Sequence, residues 1–177
     1  MVKLSGGSRT LTNGSREYNR RMTEYQMMIQ SGKYDPVQSY FSQKGGGYVL
    51  VEKSSQEHLP EEKEAARFMA DKGYKIELKD EGGQATTPDG KVFSASFEQR
   101  TPSGKAGTNT PVNIRTALKH ARNKNADIAV IYQKYGKHSK KAVIDGIKLY
   151  EKDANYRFKR IYIVTRDGRI HRHAHNN

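Results

Sequence analysis

Several residue types and patterns are missing from this 177-residue chain, and each absence excludes a class of protein. The sequence has no cysteine, which excludes a disulfide framework and any zinc site built on thiolates. It has no long apolar run, so we expect no segment that spans a bilayer. Its first ten residues lack the apolar core of a secretory signal, and no such signal is expected. Only 34% of the residues are hydrophobic, which indicates a modest core.

Acidic residues are scarce in the second half of the chain. Residues 1–90 carry 13 basic and 13 acidic side chains, whereas residues 91–177 carry 19 basic and only 6 acidic ones. The formal net charge of +13 therefore arises entirely beyond residue 90. A cationic excess confined to one part of a chain is typical of proteins that bind polyanions such as nucleic acids.

The hydrophobic pattern predicts an N-terminal arm followed by an α+β domain. Residues 1–45 are predicted to form a flexible lead-in and a helix, which serve as a linker or docking arm. Residues 46–177 are predicted to form a basic domain with the element order β-α-β-β-α-β-α-β-β, including one strand over 91–100. The expected architecture has helices packed on a mostly antiparallel or mixed sheet. Its last two strands should pair around an Asp167-Gly168 turn.

Cations and tyrosines alternate through the basic half of the chain. Three basic residues recur at i, i+4 and i+7 on the predicted helix 111–123, opposite its apolar stripe. Such a face can neutralise phosphates, although an ordinary solvated face has the same pattern. Tyrosine rings can stack on unpaired bases, or they can fill a core. The predicted nucleic-acid-binding residues are Arg115, Lys119, Arg122, Tyr135, Lys137, Lys140, Arg166 and Arg169.

Five of the six histidines also lie in this half. Imidazole serves as acid or base near neutral pH, and RNA cleavage needs both: one group takes the 2′-hydroxyl proton and another protonates the departing 5′-oxygen. Thr165, Arg166, His171 and His173 are expected to meet across the final hairpin. Two alternatives stay open. The histidines can form a solvated tail, which is favoured for His175, or alternate histidines can bind zinc or nickel.

A pair of carboxylates forms a further pattern. Asp89 follows a turn, and Glu98 lies two residues before Arg100 on the next strand. This arrangement resembles the PD-(D/E)xK nuclease pattern, in which two carboxylates hold Mg²⁺ and a lysine assists the reaction. Arg100 stands in place of that lysine, and Pro88-Asp89-Gly90 is also an ordinary turn.

Four segments together resemble a toxin family. They are Phe97-Glu98-Gln99-Arg100 after Asp89, Asn113-Ile114-Arg115 with Leu118 and Ala121, Asp127-Ile128-Ala129-Val130-Ile131, and Ile161-Tyr162-Ile163-Val164 before Asp167-Gly168. The chain resembles the C-terminal tRNase domains of contact-dependent growth inhibition proteins and related phage-encoded nuclease domains, of the barnase–EndoU–colicin–RelE-like group. The resemblance covers roughly residues 48–173, and residues 1–45 lie outside it.

The resemblance implies a small α+β ribonuclease. Such an enzyme cleaves RNA, with tRNA favoured, by metal-independent acid–base transesterification to a 2′,3′-cyclic phosphate, so no cofactor is expected. It also implies an acidic immunity protein as a partner, a cytoplasmic site of action, and delivery into a target cell as part of a larger carrier. The positions that fit the catalytic roles are Glu98, Arg100, His138, Lys141, Thr165, His171 and His173.

Two other functions remain open from the sequence. A metal-dependent DNA nuclease would use Asp89, Glu98 and Arg100 with Mg²⁺, and EDTA would abolish its activity. A non-catalytic nucleic-acid-binding or phage structural module would bind in a salt-sensitive manner and cleave nothing.

Overall fold

The structure is a computed structural model that describes residues 2–54, 57–80, 87–103 and 109–175. The helices are α1 (Arg16–Gln30), α2 (Pro60–Asp71), α3 (Pro111–Asn123) and α4 (Lys140–Asp153). The strands are β1 (Ser5–Gly6), β2 (Tyr40–Phe41), β3 (Tyr48–Val51), β4 (Lys75–Leu78), β5 (Gly90–Val92), β6 (Ala95–Arg100), β7 (Ile128–Gln133), β8 (Arg160–Thr165) and β9 (Ile170–His173). In this described part, every helix is too short or too polar to cross a bilayer.

The chain divides into two compact units. The basic unit comprises Met1–Gly7, Thr86–Pro88 and Ser96–Asn177, and the neutral unit comprises Ser8–Ala85 and Asp89–Ala95. The sequence of the basic unit contains 19 basic and 6 acidic residues, whereas that of the neutral unit contains 13 of each. The charge asymmetry of the sequence therefore coincides with the division into units.

In the basic unit, five strands lie in the order β1-β9-β8-β7-β6. Strands β6, β7 and β8 are parallel, because α3 and α4 each return the chain to the same end of the sheet. Strand β9 pairs antiparallel with β8, and β1 pairs antiparallel with β9. The carboxyl ends of the three parallel strands, at Arg100, Gln133 and Thr165, therefore lie along one edge.

Helices α3 and α4 share a core with one face of this sheet. Their buried side chains include Ile114, Leu118 and Ile147, which pack in one cluster with Ile131 and Ile163 of the strands. The strand register places Glu98, Ala129, Ile161 and His173 in one row on that face, and Arg100, Ile131, Ile163 and His171 in the next row. Two predicted catalytic histidines therefore lie on the face that the helices cover.

Close packing of α3 against α4 depends on a glycine. A Cβ atom at Gly146 would lie 2.5 Å from the Cβ of Ile114 and 2.8 Å from the carbonyl oxygen of Pro111. Each helix also begins at a capping hydroxyl. The side chain of Thr110 accepts a hydrogen bond from the backbone N–H of the third residue after it, and the side chain of Ser139 does the same. These contacts set where α4 starts, next to the carboxyl ends of β7 and β8.

The neutral unit has its own strands, in the order β5-β4-β3-β2. Strands β3 and β4 are parallel, and the other pairs are antiparallel. Tyr25, Met28 and Ile29 of α1 pack against a cluster that includes Tyr48 and Leu50. Helix α1 is thus part of the core of this unit, and the predicted boundary at residue 45 falls inside the unit.

The predicted α+β class with a mixed sheet is confirmed, and the final hairpin forms at Asp167-Gly168 as expected. The segment predicted as one strand over 91–100 instead forms β5 and β6. The chain turns at Phe93, which has a φ of +53°, a backbone conformation that interrupts a strand.

Candidate active site

A cleft of about 360 Å³ lies in the basic unit, near the carboxyl ends of β7 and β8. Its lining residues come from the loop between β7 and α4 and from the turn between β8 and β9. They are Lys137, His138, Thr165, Arg166, Asp167 and Arg169. Loops converge where parallel strands end, which makes this edge a common position for a binding site.

His138 lines this cleft, and the ring of His171 stacks on it. The rings of His138 and His171 are 4.3 Å apart, with 5° between their planes. The Nδ1 atom of His138 lies 2.8 Å from the amide oxygen of Gln133, which is fully buried. Because an amide oxygen can only accept, Nδ1 carries the proton, and the lone pair of the neutral ring is at Nε2. Gln133 thus selects one tautomer of His138.

The pKa values of both rings are below the ordinary histidine value. Burial is the main cause for each. The charges of His171 and Arg169 further lower the pKa of His138, and those of Arg169 and Lys140 further lower the pKa of His171. Asp167 opposes both shifts. Since two charged rings in a stack repel each other, the pair holds one proton more readily than two.

Thr165 holds the turn that forms one side of the cleft. Its hydroxyl donates to the carboxylate of Asp167 and accepts from the backbone N–H of Arg169 at 3.0 Å. The bond from Thr165 is the main cause that keeps the pKa of Asp167 below its usual value. Thr165 is 2% exposed. These contacts make it a positioning residue for Asp167 and Arg169.

Glu98 belongs to a different group of side chains. It is 4% exposed, accepts from Nε2 of His120 at 3.0 Å, and pairs with the Lys124 ammonium at 3.4 Å. Burial, followed by the charges of Arg100 and Lys124, lowers the pKa of His120. Arg100 is exposed at the end of β6. The carboxylate of Glu98 is therefore already bound by nitrogen groups of α3 and its cap. Asp89, the other carboxylate of the metal-dependent alternative, is 3% exposed and belongs to the neutral unit.

Two other predicted catalytic residues lie away from the cleft. Lys141 is exposed and pairs with Asp145 one turn further along α4. His173 is 5% exposed and contacts Glu151 and His175. His175 itself is not a solvated tail residue as expected, since its side chain is only 6% exposed. Of the seven predicted catalytic residues, the fold thus brings together His138, Thr165 and His171.

The predicted nucleic-acid-binding residues separate into two sets. Lys137, Arg166 and Arg169 line the cleft, and the charge of Lys140, at the start of α4, reaches His171. Tyr135 is 53% exposed, with the Lys134 ammonium 5.7 Å from its ring centre. The other three, Arg115, Lys119 and Arg122, lie on α3. Tyr132, Tyr150 and Tyr162 are buried. Tyr135, which is close in sequence to the cleft residues, has an exposed ring.

Sequence reasoning missed two polar residues of the site. For Gln133, the available signal is its position as the polar residue that directly follows an apolar run. Asp167 was identified only as a turn residue. Its role beside two histidines depends on contacts between distant segments, which no local pattern encodes.

No protein-family model matches this chain, and no curated protein matches it in sequence. Among solved structures, the chain is similar to one chain of the CdiA-CT/CdiI toxin and immunity complex from Burkholderia pseudomallei. The two are 18% identical, with a TM-score of 0.47, and the match covers 68% of this chain and 95% of that chain. A likeness this weak says nothing about activity.

Proposed function

We propose that this protein is an endoribonuclease that cleaves RNA by acid–base transesterification, without a catalytic metal. The observation that carries the proposal is the stacked pair of His138 and His171, of which His138 lines a cleft together with Lys137, Arg166 and Arg169. Two imidazoles can supply the base and the acid that the reaction needs. Three cations suit a phosphodiester, whose charge grows in the transition state.

His138 acts as the base. Its Nδ1–H donates to Gln133, so Nε2 is the atom that accepts the proton of the 2′-hydroxyl while the 2′-oxygen bonds to phosphorus. His171 acts as the acid and gives its proton to the 5′-oxygen while the bond from that oxygen to phosphorus breaks. The products are a 2′,3′-cyclic phosphate and a 5′-hydroxyl. In the balance, one proton leaves His171 and one arrives on His138.

The direction of this transfer follows from the charges around the rings. The charge of protonated His171 lowers the pKa of His138, so a proton on His171 favours the neutral form of His138. Asp167 favours a proton on the pair. A bound phosphate adds negative charge, which raises the pKa values of both rings and stabilises the singly protonated pair.

The substrate we propose is single-stranded or looped RNA, with tRNA favoured. Tyr135 lies two residues before Lys137 and offers an exposed ring for an unpaired base. Cleavage of tRNA in the cytoplasm stops translation, which would make the protein a toxin delivered into a target cell by a larger carrier. A producing cell would then need an immunity protein, and an acidic surface would complement the cationic cleft.

The test is to incubate the purified chain with total RNA, tRNA and duplex DNA, each with and without EDTA. We expect RNA to be cut with and without EDTA, DNA to stay intact, and the new ends to be cyclic phosphates. RNA that stays intact at stoichiometric protein would overturn the proposal. With salt-sensitive binding, that outcome would favour the non-catalytic alternative.

The metal-dependent alternative has a separate signature. If EDTA abolishes cleavage and Mg²⁺ restores it while Zn²⁺ does not, a nuclease that uses Glu98 is the better explanation. Glu98→Gln serves as the matched variant, because it leaves the two cleft histidines unchanged. Full cleavage by Glu98→Gln in EDTA would support the histidine pair.

A further inference from the structure

A second group of side chains lies where α4 and β9 end. Glu151 is in the last turn of α4, His173 is the last residue of β9, and His175 lies two residues further on. One donor atom from each residue lies within 4.8 Å of the other two. The Oε1 atom of Glu151 is 3.0 Å from Nδ1 of His175 and 3.6 Å from Nε2 of His173. Two imidazole nitrogens and a carboxylate oxygen form a donor set that suits zinc.

The ring of His173 is held in the tautomer that a metal requires. Its Nδ1 lies 3.0 Å from the backbone carbonyl oxygen of Lys3. A carbonyl can only accept, so Nδ1 carries the proton and the lone pair of the neutral ring is at Nε2, on the Glu151 side. Such an N–H to carbonyl contact is the usual support of a metal-binding histidine.

The same nitrogen is unsatisfied in the described part of the molecule. His173 is 5% exposed, and its Nε2 is a buried atom with no hydrogen-bond partner among the described residues. A buried polar atom without a partner costs free energy, so most such atoms in proteins have one. An ion between the three donors would provide that partner.

Two of the three distances between the donor atoms are compatible with tetrahedral coordination, and all three donor atoms lie within 4.8 Å of one another. Ligand atoms bound at 2.0–2.1 Å to a tetrahedral zinc ion lie about 3.3 Å apart. The distances of 3.0 and 3.6 Å from Glu151 to the two histidines lie on either side of that value. Glu151 is 20% exposed at its side chain and the two histidines 6% each, so the three side chains are only slightly open to solvent.

One cation lies beside the group. A terminal nitrogen of Arg157 is 3.3 Å from Nδ1 of His175 and 3.8 Å from Oε1 of Glu151. The guanidinium balances the charge of Glu151 and would repel a metal ion. Its side chain is 61% exposed, so it can move into solvent. Metal binding should therefore become tighter when Arg157 is removed.

We propose that Glu151, His173 and His175 bind a zinc ion, with water or an external ligand in the fourth position. The ion would tie the end of β9 to the end of α4. His171 lies two residues before His173 on the same strand, so the ion would also hold the strand that carries one of the two stacked histidines. This site is independent of the proposed cleavage chemistry.

The test is a calorimetric titration of the full chain with ZnCl₂, after EDTA treatment and dialysis, with MgCl₂ as the control ion. We expect one Zn²⁺ per chain and no Mg²⁺. His175→Ala and Glu151→Gln should each weaken zinc binding at least about tenfold. His171→Ala, the matched control on the same strand, should bind zinc like the wild type, and Arg157→Ala should bind it more tightly.

Absence of one-to-one zinc binding, or unchanged affinity in His175→Ala, would overturn the proposal. So would loss of binding in His171→Ala with retention in His175→Ala. A second measurement needs no variant: Co²⁺ added to the wild-type chain should give the intense visible bands of a tetrahedral site, and a weak octahedral spectrum would contradict it. Neither experiment contains RNA, so their failure leaves the cleavage proposal untouched.

Discussion

The two units of this protein handle charge in different ways. In the neutral unit, carboxylates and cations neutralise each other: Glu24 pairs with Lys75 at 2.8 Å, and Glu52 with Lys33 at 3.1 Å. In the basic unit, 19 basic residues meet only 6 acidic ones, and several of the excess cations line a cleft. The first arrangement has no net charge to attract a polyanion, whereas the second does.

The size of a cleft does not indicate which unit carries the candidate site. The neutral unit contains a larger cleft of about 460 Å³, lined by residues of α2 and by Tyr40. One of its two carboxylates, Asp71, already accepts from the hydroxyls of Tyr40 and Ser42, and no histidine lines the described cleft. The candidate cleft of the basic unit therefore differs from this one in its histidine and its excess of cations, rather than in a greater volume.

The largest expected effect is on catalysis. His138→Ala and His171→Ala should each slow RNA cleavage about 10²–10⁴-fold, since each removes one proton-transfer group. Arg67→Ala, which removes a cation from the cleft of the neutral unit, should leave the rate unchanged. Single-turnover cleavage rates measure both. An equal loss of cleavage rate in all three variants would contradict the assignment of catalysis to the cleft of the basic unit.

The next effect is on packing in the basic unit. Gly146→Ala should lower the free energy of unfolding by about 1–3 kcal/mol, because the added methyl group collides with Ile114 and with the Pro111 backbone. Gly6→Ala, where no atom lies within 4 Å of the new Cβ, should stay within about 0.5 kcal/mol of the wild type. Urea titration measures both. A Gly146→Ala protein as stable as the wild type would show that α3 and α4 can separate without cost.

A smaller effect concerns RNA binding, measured in the His138→Ala background so that the substrate stays intact. Lys137→Ala with Arg166→Ala should reduce the slope of log affinity against log salt by about 1.4, since each cation neutralises one phosphate of a single strand. Removing Arg20 and Lys44 of the neutral unit should not change the slope. Equal slopes for the two double variants would mean that the cleft cations do not contact RNA.

The smallest expected effect is the change of folding stability with pH. Burial lowers the pKa values of His120, His138, His171 and His175, all in the basic unit. The unfolded chain then binds more protons than the folded chain, so stability falls as the pH drops below the ordinary histidine value of about 6.5. Thermal unfolding between pH 7.5 and 5.5 should show this, with a flatter profile for the His138→Ala, His171→Ala double variant. A rise in stability toward acid would contradict these shifts.

Local pattern accounts for most of the segments. The stripe of Ile114, Ala117, Leu118 and Ala121 predicted helix α3, and all four side chains are buried. The apolar run at 128–132 predicted β7 in the same way. The turn at Phe93 was missed, because an aromatic residue at positive φ has no local signature. The assignment of α1 to the core of the neutral unit was missed as well, since that depends on contacts with β3.

For the candidate site, the sequence predicted which chemical groups are present but not how they are arranged. The sequence by itself determined that cations and histidines are concentrated in one half of the chain, and that His171 and His173 share a strand face. Only the tertiary structure decided which partner each histidine meets. Lys140 and Glu151 lie about 16 Å apart along α4 at 1.5 Å per residue, so the charge of the helix start reaches His171 and the helix end contacts His173. His171 and His173 lie on the same face of β9, but they belong to two different sites because each is near a different end of α4.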